Sequence, residues 1–80
     1  MGTITIRFYA AARDAAGVAE ISVSPSSLAE SLREISHNNP RLTQVLDRCS
    51  FLVDGAICHD RSVVIKAGSS VDVLPPFAGG

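Results

Sequence analysis

Ser70-Val71-Asp72-Val73-Leu74-Pro75-Pro76-Phe77-Ala78-Gly79-Gly80 is the stretch on which the fold turns. Its first five residues read as a strand. Val71, Val73 and Leu74 supply the apolar content, and a turn at Ala67-Gly68 stands in front of it. Pro75-Pro76 then ends the strand, because two residues without an amide donor take two bonds out of a β ladder. Gly79 and Gly80 do nothing for a core. They have no side chain to bury, and ordering them costs more backbone entropy than ordering any other residue. Their use is steric: a glycine tail threads a narrow channel and presents an unhindered carboxylate. Taken alone, the glycine pair also fits a frayed chain end.

Working outward, Thr3 to Tyr9 alternates polar and apolar with period two, the pattern of a half-buried strand. Ile4, Ile6 and Phe8 are expected to face the core, with Thr5, Arg7 and Tyr9 outward. Ala10 to Ala16 fits a short helical turn ended by Gly17, and Ala19 to Val23 a second strand with Ile21 and Val23 inward. Ser24-Pro25-Ser26 breaks that strand. Ser27-Leu28-Ala29-Glu30 then fits a capping box, in which the serine hydroxyl takes a free helix amide and Glu30 reaches back. Leu28, Leu32 and Ile35 recur at helical spacing and make one apolar stripe. Asn38-Asn39-Pro40 is expected to end this helix, and Leu42, Val45 and Leu46 mark a shorter one. Ser50 to Val53 reads as a strand, Asp54-Gly55 as a tight hairpin turn, and Ala56 to Cys58 as its return. The order predicts an α+β domain, a mixed sheet crossed by one main helix, and the crossover is long enough for the first and last strands to pair in parallel.

Eighty residues make one domain, near the lower limit for a core without staples. A net charge of −1, with arginines scattered and Lys66 the single lysine, argues against a nucleic-acid partner. No apolar run approaches a membrane span, and no basic region precedes an apolar segment at the N-terminus. A cytoplasmic location without membrane attachment is therefore expected. There Cys49 and Cys58 stay reduced and read as structural cysteines. No metal site is expected, since His37 and His59 are the only histidines and no CxxC pair exists. Nor can a Ser–His–acid grouping be assembled, so the chain is not expected to be an enzyme on its own.

Three stretches together resemble the MoaD/ThiS family of sulfur carrier proteins, most closely the small, sulfur-carrier subunit of molybdopterin synthase. They are Arg7-Phe8-Tyr9-Ala10-Ala11-Ala12-Arg13-Asp14 through Gly17, Val53-Asp54-Gly55, and Val71 to Gly80. The resemblance covers the whole chain and is most specific at the tail. A departure is the turn Lys66-Ala67-Gly68-Ser69-Ser70, commonly acidic in this family. The resemblance implies a ubiquitin-like β-grasp domain over residues 1–74 and an extended, flexible Pro-Pro-Phe-Ala-Gly-Gly tail over 75–80.

It further implies that an ATP-dependent, E1-like adenylating enzyme converts Gly80 to an acyl-adenylate. A persulfide sulfur donor then leaves a terminal thiocarboxylate there. ATP belongs to that partner, and no cofactor is expected to be bound stably. The loaded tail would enter the large catalytic subunit of molybdopterin synthase and give its sulfur to a pterin precursor in molybdenum cofactor biosynthesis. The alternatives are sulfur delivery for thiamine thiazole or cysteine synthesis, a ubiquitin-like protein modifier, and a binding module with an inert tail. A carboxylate is a poor electrophile and is ionised at neutral pH, its ordinary pKa being about 3.3–3.7, so activation must come first.

Pro75, Pro76, Phe77, Ala78 and Gly79 suit that delivery. From Pro75 to Gly80 the extended chain reaches on the order of 20 Å. The prolines hold its base extended, so insertion loses less entropy. Phe77 is either an apolar anchor for a partner or a residue folded back on the domain. Tyr9 matches a surface aromatic of the family's opening motif, so the large-subunit interface is one place for it; a single exposed aromatic is also ordinary. Arg13 either meets a partner carboxylate or is simply solvated.

Overall fold

The computed structural model describes residues 2–76. Five strands form one sheet: β1 (Ile4–Phe8), β2 (Glu20–Val23), β3 (Ser50–Val53), β4 (Ala56–Ile57) and β5 (Ser70–Leu74). Their spatial order is β2-β1-β5-β3-β4. β1 and β5 run parallel, with Ile6 beside Val71 and Phe8 beside Val73, while the other pairs are antiparallel. The first and last strands are thus neighbours, with β5 in the centre of the sheet. Three helices accompany it: α1 (Ala10–Ala16), α2 (Leu28–Ile35) and α3 (Pro40–Leu46). The α+β plan expected from the element order is the one observed.

Each strand's inward residues follow from alternation. Ile4, Ile6 and Phe8 of β1 and Val71 and Val73 of β5 are buried, and they meet Leu28 and Leu32 of α2, Leu42 and Leu46 of α3 and Phe51 of β3 in one core. Ile21 departs from expectation. It pairs with Ile6 in register, yet it remains 38% exposed while Val23 is only 5% exposed. Both residues lie on the edge strand β2, so their side of the sheet alone does not decide their burial.

The helix ends show where the backbone donors go. Ser27 caps α2, its Oγ accepting from Glu30 N–H at 3.1 Å. Glu30 does not complete a capping box among the described residues. The neighbouring amides of Leu28 and Ala29 instead donate to the Val63 and Arg61 carbonyls at 2.9 and 2.8 Å, so the 61–65 segment closes that end. Buried Ser31 shares a 2.9 Å hydrogen bond with Ser26 Oγ. Pro40 does not stop α2, which ends at Ile35; it opens α3, where a missing amide is harmless. Asn39 caps α3 through Leu42 N–H, and its amide also donates to the Ala15 carbonyl at 3.0 Å, tying α3 to α1. Asp54 and Gly55, with φ of 50° and 85°, make the hairpin turn whose twist suits two-residue loops.

Candidate functional site at the tail root and the open sheet face

Because β1 and β5 are parallel, both end at the same edge of the sheet, and whatever follows each of them converges there. Pro75, directly after β5, is buried, and Pro76 is exposed. Phe77, Ala78, Gly79 and Gly80, singled out from the sequence, lie outside the described residues.

Tyr9, directly after β1, stands beside this tail root. Its N–H donates to the Val73 carbonyl at 3.3 Å, and its hydroxyl donates to Asp72 Oδ1 at 3.4 Å, a long bond. The ring is 41% exposed. Arg13 follows one turn into α1, and with Tyr9, Arg7 and Glu20 it lines a shallow surface cavity. Tyr9 is therefore brought beside the tail root, and Arg13 beside Tyr9 on the β2 side of it.

The face of the sheet turned away from the helices carries a feature the sequence reading did not isolate. Strand register places Glu20, Arg7, Asp72, Leu52 and Ile57 in one row across all five strands. The row is charged over β2, β1 and β5 and apolar over β3 and β4. Ile57 is 59% exposed, and Leu74, beside Ser50 on the same face, is half-buried. The signal was present: Phe51 facing inward sends Leu52 outward, and the two-residue turn sends its partner Ile57 the same way. Leu74 counted as apolar content of its strand, without a side. The arrangement offers a polarised docking face that ends at the tail root. It offers no nucleophile paired with a base.

The remaining reactive side chains have local roles. Asp60 Oδ1 accepts from Ser62 Oγ at 2.6 Å and from Ser62 N–H at 2.9 Å, which holds its carboxyl below the ordinary range. Asp54 Oδ1 accepts from Ser70 N–H at 2.9 Å and its carboxyl is lowered by that bond and by the Ser69 hydroxyl. Cys49 and Cys58 are half-buried and pack against the core. Burial pushes the Cys49 thiol up, and the Arg61 charge opposes this. Among the described residues no three His, Cys, Asp or Glu side chains gather where a metal ion could be held. Nor is any described helix long and apolar enough to cross a membrane.

The fold is shared with solved structures of low sequence identity. Small archaeal modifier protein 1 from Methanosarcina acetivorans matches with a TM-score of 0.85 at 21% identity, covering 100% of this chain and 98% of that one. The protein of the same name from Haloferax volcanii matches at 0.82 and 20% identity, with 99% and 100% covered. The complex of subunits 1 and 2 of molybdopterin-converting factor from Helicobacter pylori 26695 contains a chain matching at 0.73 and 22% identity, with 98% and 99% covered. These likenesses identify the ubiquitin-like β-grasp fold. No curated protein matches the chain in sequence. Residues 6–80 match the ThiS family, and the chain accordingly belongs to the ThiS family.

Proposed function

We propose that the chain is a sulfur carrier whose Gly80 is adenylated and converted to a thiocarboxylate. In this reading it serves as the small subunit of molybdopterin synthase and gives its sulfur to a pterin precursor. The observation that carries the proposal is the family match over residues 6–80, which takes in the closing strand and the Gly79-Gly80 end together. Its partners would be the large catalytic subunit, an E1-like adenylating enzyme and a persulfide donor, all met in the cytoplasm. The Gly80 carboxylate attacks the α-phosphorus of ATP and expels pyrophosphate. A persulfide sulfur then attacks the acyl carbon and expels AMP. A second thiol cleaves the resulting acyl disulfide and leaves the thiocarboxylate. In this reading oxyanion stabilisation in these steps falls to the partner.

The division of labour follows the same lines. Residues 1–74 act as the docking body, and 75–80 as the tail. Tyr9 and Leu74 adjoin the tail root, where a partner enclosing the tail would touch the body, and Arg13 and the apolar half of the open face extend from them. A molybdopterin pathway is favoured by the likeness to the subunit 1–subunit 2 complex. The likeness to small archaeal modifier proteins supports a second reading, in which the activated Gly80 forms amide bonds to lysines.

Incubation with a cognate adenylating enzyme, ATP and a persulfide source decides between them. The expected result is a C-terminal mass shift equal to replacing one oxygen by sulfur. A ladder of lysine adducts would establish the modifier, and an unchanged mass an inert tail. Deleting Gly80 is expected to abolish loading and leave the melting temperature unchanged.

A further inference from the structure

The chain's two cysteines flank one hairpin and face one cavity. Leu52 pairs with Ile57, and Cys58 N–H donates to the Phe51 carbonyl at 2.8 Å, so Phe51 and Cys58 stand opposite each other one step further from the turn. Side chains alternate along a strand, which puts Cys49, Phe51 and Cys58 on the same, core-facing side. Both thiols pack against the core, and both line a small cavity with Phe51, His59 and Arg61. The Arg61 guanidinium lies over the Phe51 ring, 5.0 Å from its centroid. Each thiol now donates to a backbone carbonyl, Cys49 to Val45 at 3.2 Å and Cys58 to Asp60 at 3.3 Å.

Diagonal neighbours across an antiparallel pair have Cα atoms about 7–8 Å apart, and a disulfide takes about 4.4–6.8 Å. Bridging them therefore takes a backbone movement of about 1 Å at the ends of the hairpin. β4 holds only two residues, so Cys58 lies beyond it, and Cys49 precedes β3.

We propose that Cys49 and Cys58 are a redox-active dithiol that reduces small-molecule disulfides and closes to an intramolecular disulfide. The Cys58 thiolate, whose hydrogen bond lies exposed while that of Cys49 is part-buried, attacks one sulfur of the incoming disulfide and expels a thiolate. That leaves a mixed disulfide on Cys58. Cys49 then attacks the Cys58 sulfur and expels the second thiolate. Two cysteine thiols are oxidised, one disulfide is reduced to two thiols, and the two cysteine protons pass to the departing thiolates. The site is independent of whether Gly80 is loaded with sulfur.

Trypsin makes the test direct. Arg48 and Arg61 bracket a fragment from Cys49 to Arg61 that holds both cysteines and no internal Lys or Arg. The full chain is incubated with excess glutathione disulfide, alkylated and digested. The expected fragment carries no alkyl group and is lighter than the reduced, unalkylated peptide by two hydrogens. Cys49→Ser is expected to accumulate glutathione on Cys58, because the resolving thiol is gone. A wild-type fragment that ends up glutathionylated, doubly alkylated or cross-linked between two chains would overturn the proposal, whatever the variant does.

Discussion

Ala10 follows β1 with a φ of 50°, a left-handed conformation that an L-residue with a Cβ adopts at a cost of about 1–2 kcal/mol. It is the corner that turns the chain from Tyr9 into α1, and its exposed side chain recovers little of that cost by packing. Ala10→Gly is expected to raise stability by up to ~1 kcal/mol, the relief being partly offset by the freer unfolded chain. A denaturant titration at constant m-value checks this. Asp54 is a second residue with an electrostatic signature. Its carboxyl is held beneath the ordinary value of 3.8 by Ser70 N–H and the Ser69 hydroxyl. A carboxyl lowered in the folded state stabilises above its unfolded pKa and loses that contribution as the pH falls through the folded value. Stability is therefore expected to decline as the pH drops past about 3.8. Asp54→Asn, which keeps a residue tolerant of the positive φ, is expected to flatten this part of the curve of denaturation midpoint against pH.

Elements were the most legible level of the sequence. Period two marked β1, Ser27 and Asn39-Pro40 marked helix boundaries, and Asp54-Gly55 marked the hairpin, because each of these signals is set by backbone bonding within a few residues. Signals that depend on distant neighbours were not legible. Alternation gave Ile21 and Val23 the same side of the sheet but not the different cover that leaves the first exposed and the second buried. Pro40 gave a boundary but not which helix it served. Tyr9 and Arg13 were legible one by one, while the place of Tyr9 at the tail root follows from the parallel β1–β5 pairing. The open-face row was hidden because its members come from five separate strands. Asn39 offers a test at this scale. It caps α3 and also holds the Ala15 carbonyl of α1, so Asn39→Ala is expected to cost about 1–2 kcal/mol. Asn39→Ser is expected to restore the cap but not the bond to α1, and thus to fall between the two in chemical denaturation.

At the scale of the whole molecule, interior and open face are expected to respond in opposite ways. Phe51 is 2% exposed and sits under Arg61, so Phe51→Ala is expected to cost about 3–5 kcal/mol, a large share of the stability of so small a domain. Ile57 lies on the sheet's other face, 59% exposed. Ile57→Asp is expected to change stability by less than about 0.5 kcal/mol. Under the proposed function it is expected to weaken binding to the large subunit about tenfold, or ~1.4 kcal/mol by calorimetry. Unaltered binding would remove the apolar half of the row from the docking face.

The position of β5 also bears on how the molecule comes into being. On the ribosome this strand is the last of the five to be synthesised, yet it bonds to both β1 and β3. Until it emerges, β1 and β3 each lack the neighbour that β5 supplies in the finished sheet. Contacts so distant in sequence form late and slowly. Completion of the sheet therefore waits on the segment that leads into the tail, so under the proposed function an activating enzyme that reads the assembled face would meet a folded body.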